Sequence, residues 1–166
     1  MIALTEDKRM LGYGVMTPYS NIFCFATTRR GGFSKGDYAS FNCTPYTGDD
    51  AESVRRNQEL LCNSMPQHPK ELVIPFQTHG TKVEVIDEKY LNATSDERTA
   101  MLQGVDALIT KEPGCCICIS TADCIPILLY DCKNQVVAAA HAGWRGTVNY
   151  IAGHTLDRMR ALYGTD

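Results

Sequence analysis

Apolar and polar positions divide the chain into short β-like runs and two helical segments. From Val105 onward there are four nearly continuous apolar runs, VDALIT, CCICIS, IPILLY and VVAAA. Runs without strict alternation are typical of strands covered on both faces, so we expect a layered α/β arrangement rather than an open sheet. Shorter β-rich runs at 21–28, 72–76 and 83–86 precede them.

The two helical segments have recognisable ends. Gly48-Asp49-Asp50 begins an amphipathic helix, and Met65-Pro66 ends it. A second helix is predicted from Thr147 to Tyr163, where Gly164 is suited to end it. The polar segment from Tyr90 to Gln103 is predicted to be a surface loop.

Composition places the chain among folded proteins with one core. Of the 166 residues, 44% are hydrophobic and 21% charged, so residues 1–166 are expected to form a single domain. The net charge of −3 disfavours nucleic acid or an anionic membrane as a partner. The first ten residues lack the apolar core of a signal peptide and no apolar run approaches 18 residues. We therefore expect a cytoplasmic location, in which the eight cysteines stay reduced.

Three side chains that could bind a metal lie where β-elements end. His79 precedes a glycine, Cys124 lies between two apolar runs, and His141 precedes Ala142-Gly143. Two imidazoles and one thiolate would make a three-ligand zinc site with an open fourth position, which is the catalytic pattern. The same residues could instead provide a cysteine nucleophile and a histidine base. The spacing alone does not choose between these two chemistries.

Two arginines beside glycines are candidates for binding phosphate. Arg29 precedes Gly31-Gly32, whose backbone N–H groups could form an anion-binding nest. Arg145 lies directly before the helix predicted at Thr147, and the free N–H groups of a helix N-terminus attract anions. The sequence therefore predicts phosphate, or a substrate that carries it, as a ligand.

Seven short motifs occur in a fixed order from about residue 22 to the end of the chain. They are TTRRGGFS at 27–34, YASFN at 38–42, GDD at 48–50, QTHG at 77–80, DALIT at 106–110, TADC at 121–124 and HAGWRGT at 141–147. The ordered set resembles the bacterial laccase-domain family. This family is also called YfiH-like, polyphenol oxidoreductase or peptidoglycan editing factor.

The resemblance implies a fold, a metal and an activity. The fold is an α/β one, a layered αββα sandwich with mixed β-sheets that is cysteine-hydrolase-like. The metal is zinc at His79, Cys124 and His141, with copper as the alternative. The activity is that of a purine nucleoside phosphorylase acting on adenosine, inosine and methylthioadenosine, with adenosine deaminase activity. The implied partners are therefore a purine nucleoside and phosphate.

Two other activities are attached to the family. One is a Cys-dependent amidase that edits peptidoglycan precursors, and the other is a copper-dependent polyphenol oxidase. The oxidase is disfavoured because multicopper chemistry needs many histidine ligands and the chain has four histidines.

The resemblance also suggests polar roles around the metal. Asp123 is a candidate acid–base group beside the three metal ligands, and Arg29 and Arg145 would bind phosphate. Asn42 matches a family position near the substrate and could bond a ribose hydroxyl. Family members continue beyond the last predicted helix, so the domain is expected to be truncated at its C-terminus. A homodimer is compatible with the resemblance.

Overall fold

The first 69 residues combine a small antiparallel sheet with one long helix. The computed structural model describes residues 1–166 and divides into two compact units, Met1–Pro69 and Lys70–Asp166. The elements of the first unit are strands β1 (Ile2–Ala3), β2 (Met10–Gly12) and β3 (Phe25–Thr27), 3-10 helices at Gly14–Met16 and Gly36–Tyr38, and helix α1 (Ala51–Asn63). The strands pair antiparallel in the order β1-β2-β3. The expectation of a single domain over residues 1–166 stays a prediction.

Helix α1 confirms the helix predicted after Gly48-Asp49-Asp50. The Asp50 carboxylate accepts a hydrogen bond from the Ser53 backbone N–H and caps the first turn. Val54 and Leu61 lie on the buried face of the helix. Burial of this apolar stripe, together with the cap, explains why the segment is helical.

A completely buried asparagine on α1 holds the glycine-rich segment of the first unit. Asn57 Oδ1 accepts a hydrogen bond from the Phe33 N–H at 2.8 Å. Its Nδ2 donates to the Asn42 carbonyl at 2.8 Å, the Ser40 carbonyl at 3.2 Å and the Ser34 hydroxyl at 2.9 Å. The amide therefore replaces regular strand pairing in a segment that has none.

The second unit is built on strands and short helices. Its elements are β4 (Glu71–Val73), β5 (Lys82–Ile86), α2 (Glu88–Asn92), α3 (Ser95–Met101), β6 (Val105–Thr110), β7 (Cys115–Ile117), β8 (Ile125–Asp131), β9 (Val136–Ala142), α4 (Trp144–Val148) and α5 (Ile151–Tyr163). Strands β4 and β7 pair in parallel. The main sheet has the order β5-β6-β9-β8, with β5 and β6 parallel and the other pairs antiparallel.

The main sheet is covered on both faces along its two central strands. Every residue of β6 is buried, and so is nearly all of β9. On one face Ala107 packs with Ile151 of α5, and Ile109 packs with Met159 of the same helix. On the other face Leu108 joins a cluster with residues of β4 and α2. The predicted α/β class with mixed sheets is confirmed.

The segment from Tyr90 to Gln103 is helical, so the prediction of a surface loop is wrong. Asp87 caps α2, and Thr94 forms a reciprocal capping box with Glu97 at the start of α3. Tyr90 is buried in the core although most of the segment is polar. The Thr94…Glu97 spacing was a readable start signal for a helix.

The last predicted helix, Thr147 to Tyr163, is two helices rather than one. Helix α4 already begins at Trp144, and Tyr150 separates it from α5 by adopting a left-handed backbone with φ of 64°. The Tyr150 ring lies against Gly153, where an ideal Cβ would come within 1.8 Å of it. Gly164 ends α5 with φ of 69°, as predicted. The structure contains no helix with the length and hydropathy that spanning a membrane requires.

Candidate metal centre

One edge of the main sheet brings together the ends of four segments. His79 precedes β5, and Asp106 is the second residue of β6, which runs parallel to β5. His141 lies near the end of β9, which is antiparallel to β6, and Cys124 directly precedes β8. The starts of β5, β6 and β8 therefore meet the end of β9 at this edge.

The three predicted metal ligands converge at this edge. One ligand atom from each of His79, Cys124 and His141 lies within 4.8 Å of the other two. The two imidazole rings are 4.8 Å apart at their centroids and stand at 76° to each other. Ligand atoms of a four-coordinate zinc ion lie about 3.3–3.6 Å apart, from bonds of about 2.0–2.3 Å. Small side-chain movements would bring the three atoms to that spacing.

A glycine, Gly143, lies in close contact with this cluster. Gly143 follows β9, and an ideal Cβ on it would lie 2.9 Å from His79 Cδ2, 3.3 Å from Cys124 Sγ and 3.5 Å from His141 Cε1. A single added carbon would therefore touch all three predicted ligands. Gly143 and the three predicted ligands therefore pack closely together, and we call this group of four residues the cradle.

The Asp106 carboxylate links two of the ligand-bearing segments. Its Oδ1 accepts hydrogen bonds from His141 Nδ1 at 2.8 Å and from the His79 backbone N–H at 3.0 Å. Its Oδ2 accepts from the N–H groups of Gly80 at 2.7 Å and Thr78 at 3.1 Å. Asp106 is 0% exposed and His141 is 3% exposed. A histidine whose second ring nitrogen bonds a carboxylate is the usual arrangement of a metal ligand.

The carboxylate of Asp106 is stabilised in its charged form. Burial by itself raises the pKa of a carboxyl group. The hydrogen bonds from His141 and from the Gly80 and Thr78 N–H groups outweigh burial and lower the pKa of Asp106 below its ordinary value. The ionised group therefore accepts from all four donors.

The centre opens toward solvent on the side of His79. His141 is buried, Cys124 is half-buried and His79 is exposed. Asp123 is exposed as well, and its Oδ1 lies 4.0 Å from Cys124 Sγ. The predicted acid–base candidate therefore lies at the rim of the cluster, where a small molecule could reach both groups.

Arg145 lies in the first turn of α4, next to the glycine of the cradle. Its guanidinium is 5.2 Å from the centre of the Trp144 ring, and the indole is 71% exposed. The Arg145 carbonyl accepts a hydrogen bond from Asn149 Nδ2 at 2.8 Å. The charged group of Arg145 is thus exposed on a short helix that begins beside the cluster.

The two other predicted substrate residues belong to the first unit. Arg29 Nε donates to the Ala39 carbonyl at 2.9 Å. Asn42 Nδ2 donates to Thr47 Oγ1 and to Asp49 Oδ2, both at 3.0 Å. Both side chains therefore hold loops of their own unit, and their roles in substrate binding stay predictions.

The three predicted ligands lie in one cluster, but the sequence did not single out Asp106 or Gly143. A signal for Asp106 was present, because it is an acidic residue inside a continuously apolar strand. Such residues are rarely buried without a partner. Gly143 gave no such signal, since its role depends on contacts made after folding.

The arrangement can support two kinds of chemistry. Three convergent donors can hold a metal ion and leave a further position open. Cys124, His141 and Asp106 also have the order of a nucleophile, a base and a group that orients the base. His79 distinguishes the two, because a nucleophilic triad does not need a second imidazole at the same point.

Comparison with known proteins finds relatives along most of this chain. A protein of Bacteroides thetaiotaomicron named purine nucleoside phosphorylase is 62% identical over 165 residues, covering 99% of this chain and 61% of the relative. Adenosine deaminase RL5, from an unknown prokaryotic organism, is 41% identical over 84% of this chain and 57% of its own length. This chain thus spans about three-fifths of the length of these relatives.

A solved structure confirms the fold. The crystal structure of YlmD from Geobacillus stearothermophilus matches with a TM-score of 0.82 and 31% identity, covering 94% of this chain and 57% of that one. Residues 23–166 match the family described as multi-copper polyphenol oxidoreductase laccase. The ordered motifs, the sheet that carries them and these matches agree: the chain belongs to this laccase-like family.

Proposed function

We propose that this chain carries the zinc centre of a purine nucleoside phosphorylase that also deaminates adenosine. The observation that carries the proposal is the convergence of His79, Cys124 and His141 within 4.8 Å, in a chain 62% identical to a protein named purine nucleoside phosphorylase. The proposed substrates are adenosine, inosine and methylthioadenosine, with phosphate as the second substrate.

The donor set fits zinc. Two imidazoles and a thiolate are common zinc ligands, and the buried Asp106 carboxylate orients one of the imidazoles. Copper also binds such donors, but the chain has a single cluster of three, which does not suffice for a multicopper oxidase. When bound, zinc would supply a Lewis acid that polarises the substrate or activates a water molecule.

The side chains at the rim have distinct proposed tasks. In phosphorolysis a phosphate oxygen bonds to C1′ of the ribose while the C1′–N9 bond breaks and its electron pair leaves with the purine. Arg145 is exposed beside the cradle and is proposed to bind the phosphate. Arg29 of the first unit, whose Nε donates to the Ala39 carbonyl, is also proposed to bind phosphate.

Asp123 and Asn42 complete the proposal. Deamination replaces the C6 amino group of adenosine with an oxygen from water, and ammonia leaves. The Asp123 carboxylate, at the rim 4.0 Å from the Cys124 sulfur, is proposed to move the proton that this exchange requires. Asn42 is proposed to bond a ribose hydroxyl, for which its amide would exchange one of its present partners.

The experiment compares two cysteine variants with the parent chain. The zinc-loaded chain is incubated with adenosine and phosphate, and adenine, ribose 1-phosphate and inosine are separated by chromatography. Cys124→Ala is expected to lower both zinc affinity and turnover more than 100-fold, because one of three ligands is lost. Cys132→Ala is the matched control, since this exposed thiol follows the opposite end of β8, and should leave both within twofold.

Two results would contradict the proposal. One is a parent chain that holds one equivalent of zinc and forms neither adenine nor inosine. The other is a Cys124→Ala variant that keeps its zinc and its turnover. A third result would favour a cysteine nucleophile instead: the parent chain turns over adenosine without zinc, and Cys124→Ala abolishes this turnover.

A further inference from the structure

Four N–H donors from two separate ligand-bearing segments converge on the Asp106 carboxylate. We propose that Asp106 is the positioning residue of the centre: it selects the tautomer of His141 and fixes the turn that carries His79. The inference rests on the proposed metal site and not on the nucleoside chemistry. The buried charge of Asp106 would thus hold two of the three predicted ligands in place before a metal binds.

The contact between Asp106 and His141 determines where the metal can bind the ring. An ionised carboxylate has no hydrogen to donate, so the hydrogen of the 2.8 Å bond belongs to His141 Nδ1. A neutral imidazole carries one hydrogen, which leaves the lone pair on Nε2. The ring is therefore held with its metal-binding nitrogen directed away from Asp106.

The same carboxylate holds the backbone that presents His79. His79 adopts a left-handed backbone with φ of 60°, which is uncommon for a residue with a side chain. Such a conformation persists when surrounding bonds determine it. Three successive N–H groups, those of Thr78, His79 and Gly80, point at the carboxylate at 2.7–3.1 Å. Asp106 thus compensates for the strained turn and fixes the direction of the His79 side chain.

A neutral side chain of the same shape cannot replace the carboxylate. Each carboxylate oxygen accepts two of the four hydrogen bonds. Asparagine would place an NH₂ group at one of these positions, opposite two donors. If the NH₂ group replaced Oδ1, His141 would be driven to its other tautomer; if it replaced Oδ2, the Thr78 and Gly80 N–H groups would lose their acceptor.

The first test measures the tautomer in the parent protein without metal. Long-range ¹H–¹⁵N spectra of the metal-free chain at alkaline pH show which ring nitrogen of each histidine carries hydrogen. The chain has only four histidines, and a His141→Gln spectrum assigns the relevant signal. We expect His141 to be protonated at Nδ1. Protonation at Nε2 would overturn the inference, whether or not any variant folds.

The second test measures metal affinity with matched aspartate variants. Asp106→Asn is expected to weaken Zn²⁺ binding about 10–100-fold and to change the absorption spectrum of the Co²⁺-substituted chain. Asp131→Asn is the control, because Asp131 also accepts two backbone N–H bonds but lies at the far end of β8 from Cys124. It should leave the affinity within twofold.

The outcomes separate this inference from the proposed function. If the parent chain binds zinc and Asp106→Asn binds it equally well with the same Co²⁺ spectrum, the positioning role is refuted and the metal site stands. If the parent chain binds no zinc, the proposed function fails, and the role of Asp106 falls with the site it serves. If Asp106→Asn does not fold, the tautomer of His141 in the parent chain decides.

Discussion

Each unit of the chain contains one completely buried polar side chain that collects four hydrogen bonds, and the two differ in what their partners can do. Asn57 bonds three backbone groups and one hydroxyl of the glycine-rich segment. Asp106 bonds three backbone N–H groups and the ring of His141. The amide both donates and accepts, whereas the carboxylate only accepts and brings a charge.

This difference separates structural support from a candidate site. All four bonds of Asn57 end on groups that have no further reactivity, so the network stabilises a loop. Asp106 leaves a lone pair on His141 and orients a second imidazole toward the same point. A buried polar side chain therefore indicates function only when its partners retain chemistry of their own.

The largest effect on stability is expected for Asn57→Ala. Removing the amide takes one hydrogen bond from the buried Ser34 hydroxyl and from three backbone groups, and a buried polar group left unsatisfied costs about 1–3 kcal/mol. We expect the free energy of unfolding to fall by about 3 kcal/mol, measured by urea denaturation. Asn63→Ala, at the exposed end of the same helix, should change it by less than about 0.5 kcal/mol.

Asn57→Ala should lower stability without changing the metal centre. Zinc affinity measured below the unfolding transition should stay within twofold of the parent chain. A loss of affinity as large as that expected for Asp106→Asn would break the distinction between the two buried networks.

A smaller effect, confined to the metal centre, is expected for Gly143→Ala. The glycine has φ of −68°, which alanine can adopt, so the only conflict is the added methyl group against His79 and Cys124. We expect zinc to bind about 10-fold more weakly, or about 1.4 kcal/mol, while stability changes little. Calorimetric titration with Zn²⁺ measures this loss.

The control for that variant is another glycine with room for a methyl group. An added Cβ on Gly14 would approach only the end of the Ile2 side chain, at 4.0 Å. Gly14→Ala should therefore bind zinc like the parent chain. If Gly143→Ala binds zinc as tightly as the parent chain, the cradle tolerates a larger residue and Gly143 does not position the ligands.

Most strands and the convergence of the three predicted ligands could be predicted from the sequence, because both depend on local signals. His79, Cys124 and His141 each lie at the end of an apolar run, and strand pairing brings such ends together. The importance of Asp106 within the DALIT motif could not be predicted from local signals. Its role depends on the register that places it beside His141, one position beyond the paired Ala107 and Ala140.

Two differences from the predicted fold have separate causes. The capping box from Thr94 to Glu97 was visible in the sequence but outweighed by the polarity of the segment. The break between α4 and α5 was not visible, because it depends on the Tyr150 ring lying over Gly153. A capping box is a local signal that can be read from the sequence. A contact between a side chain and a glycine of the next helix becomes visible only in the folded chain.

The smallest predicted effect concerns a carboxylate that accepts similar bonds without being fully buried. Asp131 accepts from Asn134 Nδ2 and from the N–H groups of Lys133 and Asn134 in the turn after β8. The side-chain bond from Asn134 is the main cause that lowers the pKa of Asp131 to about 2. Because this pKa is depressed in the folded chain, the stabilisation is complete above about pH 4 and is lost as the pH falls through 2.

Carboxyl ¹³C titration by NMR measures this value directly. We expect the midpoint of Asp131 near pH 2 in the folded chain and a higher midpoint, closer to the ordinary value, after Asn134→Ala removes the leading hydrogen bond while the backbone N–H bonds remain. Zinc affinity should not respond to that substitution, since the turn joins the ends of β8 and β9 opposite to Cys124 and His141. An ordinary midpoint in the parent chain would mean that the turn bonds do not hold the charge. The difference between Asp106 and Asp131 would then lie in their burial, and not in the hydrogen bonds that each carboxylate accepts.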